Sequence, residues 1–375
     1  MLHTRVANVA HASSAARVAC AGVTVVFTYS AALATADIIS VARGKGFPMP
    51  LRFAHRTSSR RLSAGSTVFV TVAAVLVLAA QSAFALTPVP VFADPDISEA
   101  QPSATANAVV YTHNSLEHPR HFNTYVNTPD GGETRINEAG TQSFQASIDG
   151  TTVLYSRFGP RGSDLRLYDV ATGERSDPPK GVNRPGSEEF GPNIDGRYYA
   201  FIRADFEAPD PYVRLILFDT RTGRSSVLAD VNPRREYLDS DQVNGDWVVW
   251  EYCRFSRHRF TECDVYRYRI STERAVVLPN PGKQQYTPSV TADGTVYYGR
   301  SGNGVYWRCG LNAHLVRQPL HGPAVVIASL PQGSDMFSTF ALEGEYGLVS
   351  VYLEQAPCEG DIGADVYRVD DARGS

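Results

Sequence analysis

The chain has 375 residues, of which 43% are hydrophobic and 20% charged, and its formal net charge is −4. The acidity lies after residue 85, where 27 Lys and Arg face 38 Asp and Glu for a net charge of −11. An acidic domain of this kind excludes nucleic acid and anionic membrane surfaces as expected partners, because both require clustered positive charge.

Residues 1–85 are predicted to be a leader. Arginines precede an uncharged run at residues 63–92, whose apolar centre is residues 68–80, and Ala83-Phe84-Ala85 matches the small-x-small cleavage pattern. We expect a signal peptide that is cleaved before Leu86, with Met49 as a natural start. The alternative is an uncleaved N-terminal membrane anchor, since an apolar run of about 20 residues can span a bilayer. The basic flank exports the rest of the chain in either case, so we expect a secreted domain or one anchored at the outer face of the cytoplasmic membrane.

Residues 86–375 carry a pattern that returns about every 46–50 residues. Each unit has an aromatic or apolar lead-in, an Asp-Gly type turn, an apolar strand, a further strand and a Thr-Gly type turn. The Asp-Gly type turns are Asp149-Gly150, Asp195-Gly196, Asn244-Gly245 and Asp293-Gly294. Such turns suit tight hairpins because they need residues that accept positive φ. The unit therefore predicts four strands, A to D, which is the size of one propeller blade.

Two weaker units flank these four, which gives six blades. The last unit ends at the C–D turn and lacks strand D, whereas residues 91–94 near the start resemble strand D of the third unit. We therefore predict an all-β, six-bladed β-propeller over residues 86–375, closed by an N-terminal strand that completes the last blade. The alternative is an open sandwich made of similar hairpins.

From these motifs, residues 88–375 resemble the TolB-like six-bladed propellers, which contain WD40-like repeats. Their blades carry this Pro-x-x-Asp-Gly lead-in and Asp-x-x-Thr-Gly turn. The resemblance implies a domain that acts in envelope protein–protein contacts or as the access domain of a larger peptidase.

Four cysteines lie in the propeller region: Cys253, Cys263, Cys309 and Cys358. An even number of cysteines in an exported domain favours disulfide bonds. Cys253 ends strand B and Cys263 opens strand C of the fourth blade, so hairpin geometry can bring them together. Cys309 and Cys358 occupy matching regions of the next two blades and could link them. Three pairings remain open, and a zinc site is the alternative.

The B–C loops are longer and more varied than the A–B and C–D turns, so binding residues are expected on their face of the propeller. One loop has a basic and aromatic tip on an otherwise acidic domain. The candidate binding residues there are Arg254, Phe255, Arg257, His258 and Arg259. Arginine and aromatic residues are enriched at interface hot spots, so the tip predicts an acidic protein partner or a carboxylated small ligand. The alternative is a solvated hairpin tip.

Two loops contain candidate metal ligands. Asp205, Glu207 and Asp210 could bind Ca²⁺ through carboxylate oxygens, although a solvated acidic loop is the alternative. The second group, His113, His118 and His121, has no fixed ligand spacing.

No local catalytic motif is present in the sequence. It contains neither the Gly-x-Ser-x-Gly elbow nor a phosphate-binding loop nor His-Glu-x-x-His. The sequence therefore predicts an exported envelope or secreted propeller that binds a protein or a ligand, with no cofactor. A small propeller hydrolase or lyase, with a metal or acidic site in the central funnel, is the alternative, because a site assembled from several blades leaves no local motif.

Overall fold

The computed structural model describes residues 89–92, 97–115, 121–160, 162–256, 259–280, 284–301, 313–329, 334–341, 346–354 and 361–370. The predicted leader lies outside these residues, and so do Cys309, Cys358, Arg257 and His258. No helix within the described stretches is both long enough and apolar enough to span a membrane.

The described residues form 24 strands and one short 3-10 helix, Ile270–Thr272. The strands are β1 (Val89–Phe92), β2 (Ile97–Ala104), β3 (Val109–Ser115), β4 (Asn123–Thr128), β5 (Gly132–Arg135), β6 (Gln142–Asp149), β7 (Thr152–Gly159), β8 (Gly162–Asp169), β9 (Arg175–Ser176), β10 (Glu188–Asp195), β11 (Tyr198–Asp205), β12 (Tyr212–Asp219), β13 (Arg224–Val231), β14 (Glu236–Asn244), β15 (Trp247–Ser256), β16 (Arg259–Arg269), β17 (Arg274–Val277), β18 (Gln285–Val290), β19 (Val296–Ser301), β20 (Ala313–Gln318), β21 (Val325–Ser329), β22 (Ser334–Ala341), β23 (Tyr346–Glu354) and β24 (Asp361–Asp370).

Antiparallel pairing joins these strands into four-stranded sheets. Five blades each consist of four consecutive strands, paired in chain order: blade 1 (β2–β5), blade 2 (β6–β9), blade 3 (β10–β13), blade 4 (β14–β17) and blade 5 (β18–β21). A further sheet has the order β1-β24-β23-β22, with Val89 opposite Arg368. The first strands of consecutive blades contact one another, as β6 contacts β10 and β10 contacts β14. The predicted all-β propeller of four-stranded antiparallel blades is confirmed, whereas a closed ring of six blades stays a prediction.

The hydrophobic core lies between neighbouring blades. One cluster packs Ala200, Ile202 and Leu215 of blade 3 against Val248 and Trp250 of blade 4, and similar clusters join the other adjacent pairs of blades 1–5. The apolar strand positions therefore serve as packing surfaces between sheets, as expected for aromatic and β-branched residues in blades.

The recurrent Asp-Gly turns also connect one blade to the next. The turn glycines adopt positive φ, at +52° for Gly196 and +58° for Gly245. The backbone N–H of Gly196 donates to Asp149 Oδ2 at 2.8 Å, and that of Gly245 donates to Asp195 Oδ2 at 2.6 Å. The aspartate of one turn thus accepts a hydrogen bond from the glycine of the next blade's turn. The Asp-Gly turns therefore join neighbouring blades in addition to closing their own hairpins.

A bulge recurs in the first strand of each of the five blades. In each of the five blades a buried polar side chain follows the bulge, and three of these side chains bond the next blade: Ser103, Ser147 and Gln242. Each accepts a backbone N–H from the following blade, from Ile148, Ile194 and Val290 respectively. These bonds satisfy donors between the sheets, where an unpaired group would be costly.

Asparagine side chains fasten three of the connections between blades, and the sequence analysis missed them. Asn137 Oδ1 accepts the backbone N–H of Thr124. Asn183 bonds both the N–H and the C=O of Leu165 through its amide, and Asn280 donates to the C=O of Cys263. In each case the asparagine holds the third strand of the preceding blade. These connections lie on the same face of the propeller as the B–C loops. The asparagines therefore stabilise the backbone from which the B–C loops extend.

Candidate functional site

The hairpin of β15 and β16 in blade 4 has longer strands than the corresponding hairpin of blade 3, and its tip lies on the B–C face. Its strands have 10 and 11 residues, against 8 and 8 for β11 and β12 of blade 3. Pairing continues out to Ser256 opposite Arg259. We call residues 253–263 the tip hairpin. It contains all five predicted binding residues, of which Arg257 and His258 lie outside the described part.

A disulfide bond closes the base of the tip hairpin. Cys253 and Cys263 face each other in the strand register, with 4.1 Å between their Cα atoms, and both are fully buried. This is the pairing, among the three that the sequence left open, that hairpin geometry makes possible. The predicted link between Cys309 and Cys358 falls on residues that the structure does not describe, and it stays a prediction.

Arg254 is exposed but is not an isolated positive charge. Its Nη1 lies 2.9 Å from Glu262 Oε2 across the hairpin, and its Nε donates to the Tyr252 hydroxyl at 3.3 Å. The Tyr252 hydroxyl donates in turn to Glu236 Oε1 at 2.7 Å. The Tyr252 hydroxyl and then Glu262 raise the pKa of Arg254 above its ordinary value. The base of the tip hairpin is therefore less positive than its arginines alone suggest.

Phe255 is half-buried where the hairpin leaves the sheet. A register shift lies between Arg254 and Phe255, and beyond it Phe255 faces Phe260. The Phe255 N–H donates to the backbone carbonyl of Arg235 at 2.7 Å, which ties the tip to the connection before β14. The backbone of Arg259 lies in β16. Phe255 thus lies on a strand whose position is fixed by the bridge and by this bond.

In the predicted calcium loop of blade 3, one carboxylate accepts hydrogen bonds from the backbone of the loop. Asp205 Oδ1 accepts the N–H groups of Glu207 and Ala208, at 3.1 and 2.9 Å. These bonds form a turn typical of aspartate and order the loop after β11. Calcium binding by Asp205, Glu207 and Asp210 stays a prediction.

The histidines predicted as alternative metal ligands include one with well-defined neighbours. The His113 ring stacks on Tyr125 with 4.5 Å between centroids, and its Nδ1 lies 3.8 Å from Glu133 Oε1. The buried Tyr111 hydroxyl also donates to Glu133, and burial followed by Glu133 raises the pKa of Tyr111. His121 is exposed, and His118 lies outside the described residues.

A buried ion pair lies beneath the B–C face of blade 3, and the sequence analysis missed it. Arg203 Nε donates to Glu189 Oε1 at 2.7 Å, and Arg203 Nη2 donates to the carbonyls of Gly181 and Val182. Burial raises the pKa of the Glu189 carboxyl, with Arg203 acting in the opposite direction, and burial also raises that of Glu188. The available signal was an arginine within the apolar strand β11.

Blade 4 holds one further group of side chains whose potential ligand atoms lie close together. Glu251 lies two residues before Cys253 on β15, and its Oε1 is 2.9 Å from Cys253 Sγ. The ligand atoms of Glu251, Cys253 and Cys263 all lie within 4.8 Å of one another, and all three residues are buried. Among the residues described, this is the single group of three or more His, Cys, Asp or Glu side chains gathered so closely.

Comparisons with known proteins give likeness of fold alone. No protein-family model matches the chain. No curated protein matches it either.

Solved propellers are similar in structure at low sequence identity. TolB from Acinetobacter baumannii is 12% identical with a TM-score of 0.44, covering 73% of this chain and 80% of that one. An oligogalacturonate lyase from Vibrio parahaemolyticus is 12% identical with a TM-score of 0.45, covering 76% and 81%. The propeller domain of the Trilobed protease from Pyrococcus furiosus is 12% identical with a TM-score of 0.43, covering 75% and 94%. Likenesses at this level carry no functional argument.

Proposed function

We propose that this chain is an exported cell-envelope or secreted propeller that binds a protein or a small ligand on its B–C loop face. The observation that carries the proposal is the tip hairpin. A disulfide fixes its base, its strands are longer than those of blade 3, and its sequence concentrates arginine and aromatic residues. Rigid presentation of such residues lowers the entropic cost of binding.

The ion pair at the base of the tip hairpin supports a partner of negative charge. Glu262 offsets Arg254, so the net positive charge of the hairpin sequence comes from Arg257 and Arg259. We propose an acidic surface, or a carboxylated ligand, that docks on the outer half of the hairpin and against Phe255. Complementary charge would mainly speed association and select the partner.

Export is part of the proposal. The small-x-small motif after an apolar run is the sequence support, and the Cys253–Cys263 bridge is the structural support, because disulfides persist in oxidising compartments. N-terminal sequencing of the protein isolated from its host distinguishes leader cleavage before Leu86 from membrane anchorage by an uncleaved leader.

A closed ring of six blades is also proposed. Three contacts support it: β1 pairs with β24, β22 contacts β18 of blade 5, and β24 contacts β2 of blade 1. The composite sheet of β1 and β22–β24 would then be the sixth blade. Ring closure leaves no exposed sheet edge inside the propeller and would hold the B–C loops in a circle.

The test combines partner capture with charge reversal at the tip hairpin. The chain, produced with its bridge intact, is immobilised and exposed to envelope extract, and retained proteins are identified by mass spectrometry. The variant R254E/R257E/R259E is expected to bind a purified retained partner at least about tenfold more weakly, chiefly through slower association.

A matched control changes the net charge equally on the opposite face. Arg221, Arg224 and Arg274 are exposed arginines at C–D turns, so R221E/R224E/R274E is expected to bind as the parent does. Equal loss in both variants would show that overall charge, and not the tip hairpin, governs binding. Equal retention in both would refute the site.

A further inference from the structure

The Glu251 carboxylate occupies a position at which blade 1 has a hydroxyl. Its Oε2 accepts the N–H of Thr287, the residue at the bulge of the next blade, at 2.9 Å. Blade 1 fills the equivalent position with Thr112, whose hydroxyl accepts the N–H of Gln145 at the next bulge, at 3.1 Å. A neutral hydroxyl is therefore sufficient to cap a bulge. The other oxygen of Glu251, Oε1, lies beside the sulfurs, at 2.9 Å from Cys253 Sγ.

Hydrogen bonds hold the backbone on both sides of the disulfide bond. The N–H of Cys263 donates to Gln284 Oε1 at 2.7 Å, and Asn280 Nδ2 donates to the carbonyl of Cys263. On the other strand, the N–H of Phe255 donates to Arg235. These bonds, together with the strand register, fix the backbone on both sides of the bridge independently of the S–S bond.

We propose that Glu251, Cys253 and Cys263 form a redox-gated site for a divalent metal ion of the zinc class. Two thiolates and a carboxylate are ligands that Zn²⁺ prefers, and water would complete a tetrahedral set. The Thr287 N–H fixes the carboxylate from outside the ligand set, as such bonds do in known metal centres. With the bridge closed, the sulfurs share a bond and cannot act as thiolates, so the oxidised protein has no site.

Opening the site requires a dithiol reductant and balances as a thiol–disulfide exchange. The external dithiol transfers two electrons and two protons to the bridge, giving the Cys253 and Cys263 thiols and an external disulfide. Binding of Zn²⁺ then displaces both thiol protons to solvent, because the thiolate is the ligand. An external disulfide reverses the sequence: it accepts the two electrons, together with two protons from solvent, which re-forms the bridge, releases the metal and returns the external dithiol.

The experiment uses the full chain in a background that leaves only these two thiols, C20S/C309S/C358S. After anaerobic reduction and removal of the reductant, Co²⁺ is added and then displaced with Zn²⁺. We expect one Co²⁺ per chain with thiolate-to-cobalt charge-transfer absorption, loss of that absorption on adding Zn²⁺, and no such absorption in the oxidised protein.

The matched variant is Glu251→Thr, which copies blade 1. It keeps a hydroxyl to cap the Thr287 N–H but removes the carboxylate, so folding should be retained while zinc affinity falls at least about tenfold. Cys253→Ser should abolish the charge-transfer absorption. Absence of thiolate bands in the reduced parent, or equal zinc affinity in the Thr variant, would overturn the site.

Unfolding of the reduced chain gives a second measurement if the bridge proves necessary for folding. Ligands that bind only the folded state raise its apparent stability. Zn²⁺ should raise the denaturation midpoint of the reduced parent, and it should raise that of Glu251→Thr by clearly less at the same zinc concentration. A parent midpoint that does not respond to Zn²⁺ would likewise refute the proposal.

Discussion

Blades 3 and 4 pair their second and third strands in the same register up to Ala204 and Cys253, but they place different chemistry beneath the same face. Ala204 faces Val213 in blade 3 at the positions where Cys253 faces Cys263 in blade 4. Blade 3 buries an ion pair at the base of its hairpin, whereas blade 4 has a disulfide with a carboxylate beside it. The repeat thus determines where a side chain lies, and each blade's own residues determine what it can do.

The ion pair of blade 3 is the element whose loss should cost most. Arg203→Met leaves the Glu189 carboxylate buried without its partner and removes two donors from backbone carbonyls. We expect the free energy of unfolding to fall by about 3–5 kcal/mol, measured by urea denaturation.

The control for that substitution replaces both charges. Glu189→Leu combined with Arg203→Met removes the unpaired carboxylate and is expected to recover part of the lost stability, because no buried charge remains. A double variant that is as unstable as Arg203→Met would show that packing around Arg203, and not the unpaired charge, causes the loss.

Giving blade 4 the residues of blade 3 should have an intermediate effect. The variant C253A/C263V removes a bridge between residues ten apart and is expected to lower the free energy of unfolding by about 2–3 kcal/mol in guanidinium without reductant. The converse variant, A204C/V213C, should form a bridge on oxidation, detectable as loss of two free thiols. An unchanged denaturation midpoint in C253A/C263V would mean that the surrounding hydrogen bonds alone hold the hairpin.

The contact that joins the two blades should have the smallest effect. Asp195→Ala removes the acceptor for the N–H of Gly245 and is expected to cost about 1 kcal/mol in thermal or urea unfolding. Asp130→Ala changes an exposed turn aspartate within blade 1 and should stay within about 0.5 kcal/mol of the parent. Equal small effects in both would show that the inter-blade bond contributes nothing measurable.

The sequence predicted the blades because their signals are local. Asp-Gly and Thr-Gly turns report a need for positive φ, and alternating apolar residues report packing between sheets. The recurrent asparagines at positions 137, 183 and 280 were overlooked, although their spacing follows the repeat. The bulges were not predictable, since a left-handed Gln145 or Thr287 has no local sequence signal.

The candidate site was predicted only in part, because some of its contacts follow from local strand pairing and others depend on packing between elements. The Cys253–Cys263 pairing follows from hairpin register and could be derived from strand positions alone. The Glu189–Arg203 pair could not, because its strength depends on the burial of both groups by neighbouring elements. The contact of Arg254 with Glu262 spans only eight residues, and counting the charges within the hairpin would have indicated it.

The hydrogen bonds between turns have a consequence for how a propeller of this design can vary. At the junctions of blades 2–3 and 3–4, the acceptor is a turn aspartate and the donor is a glycine N–H, so neither group depends on which two blades meet. Duplication or removal of blade 3 as a whole unit would leave both junctions with a donor and an acceptor, because Asp149 and Asp195 are equivalent acceptors and Gly196 and Gly245 are equivalent donors. A unit with this turn can therefore be copied without a new junction contact, while loops such as the tip hairpin diversify independently.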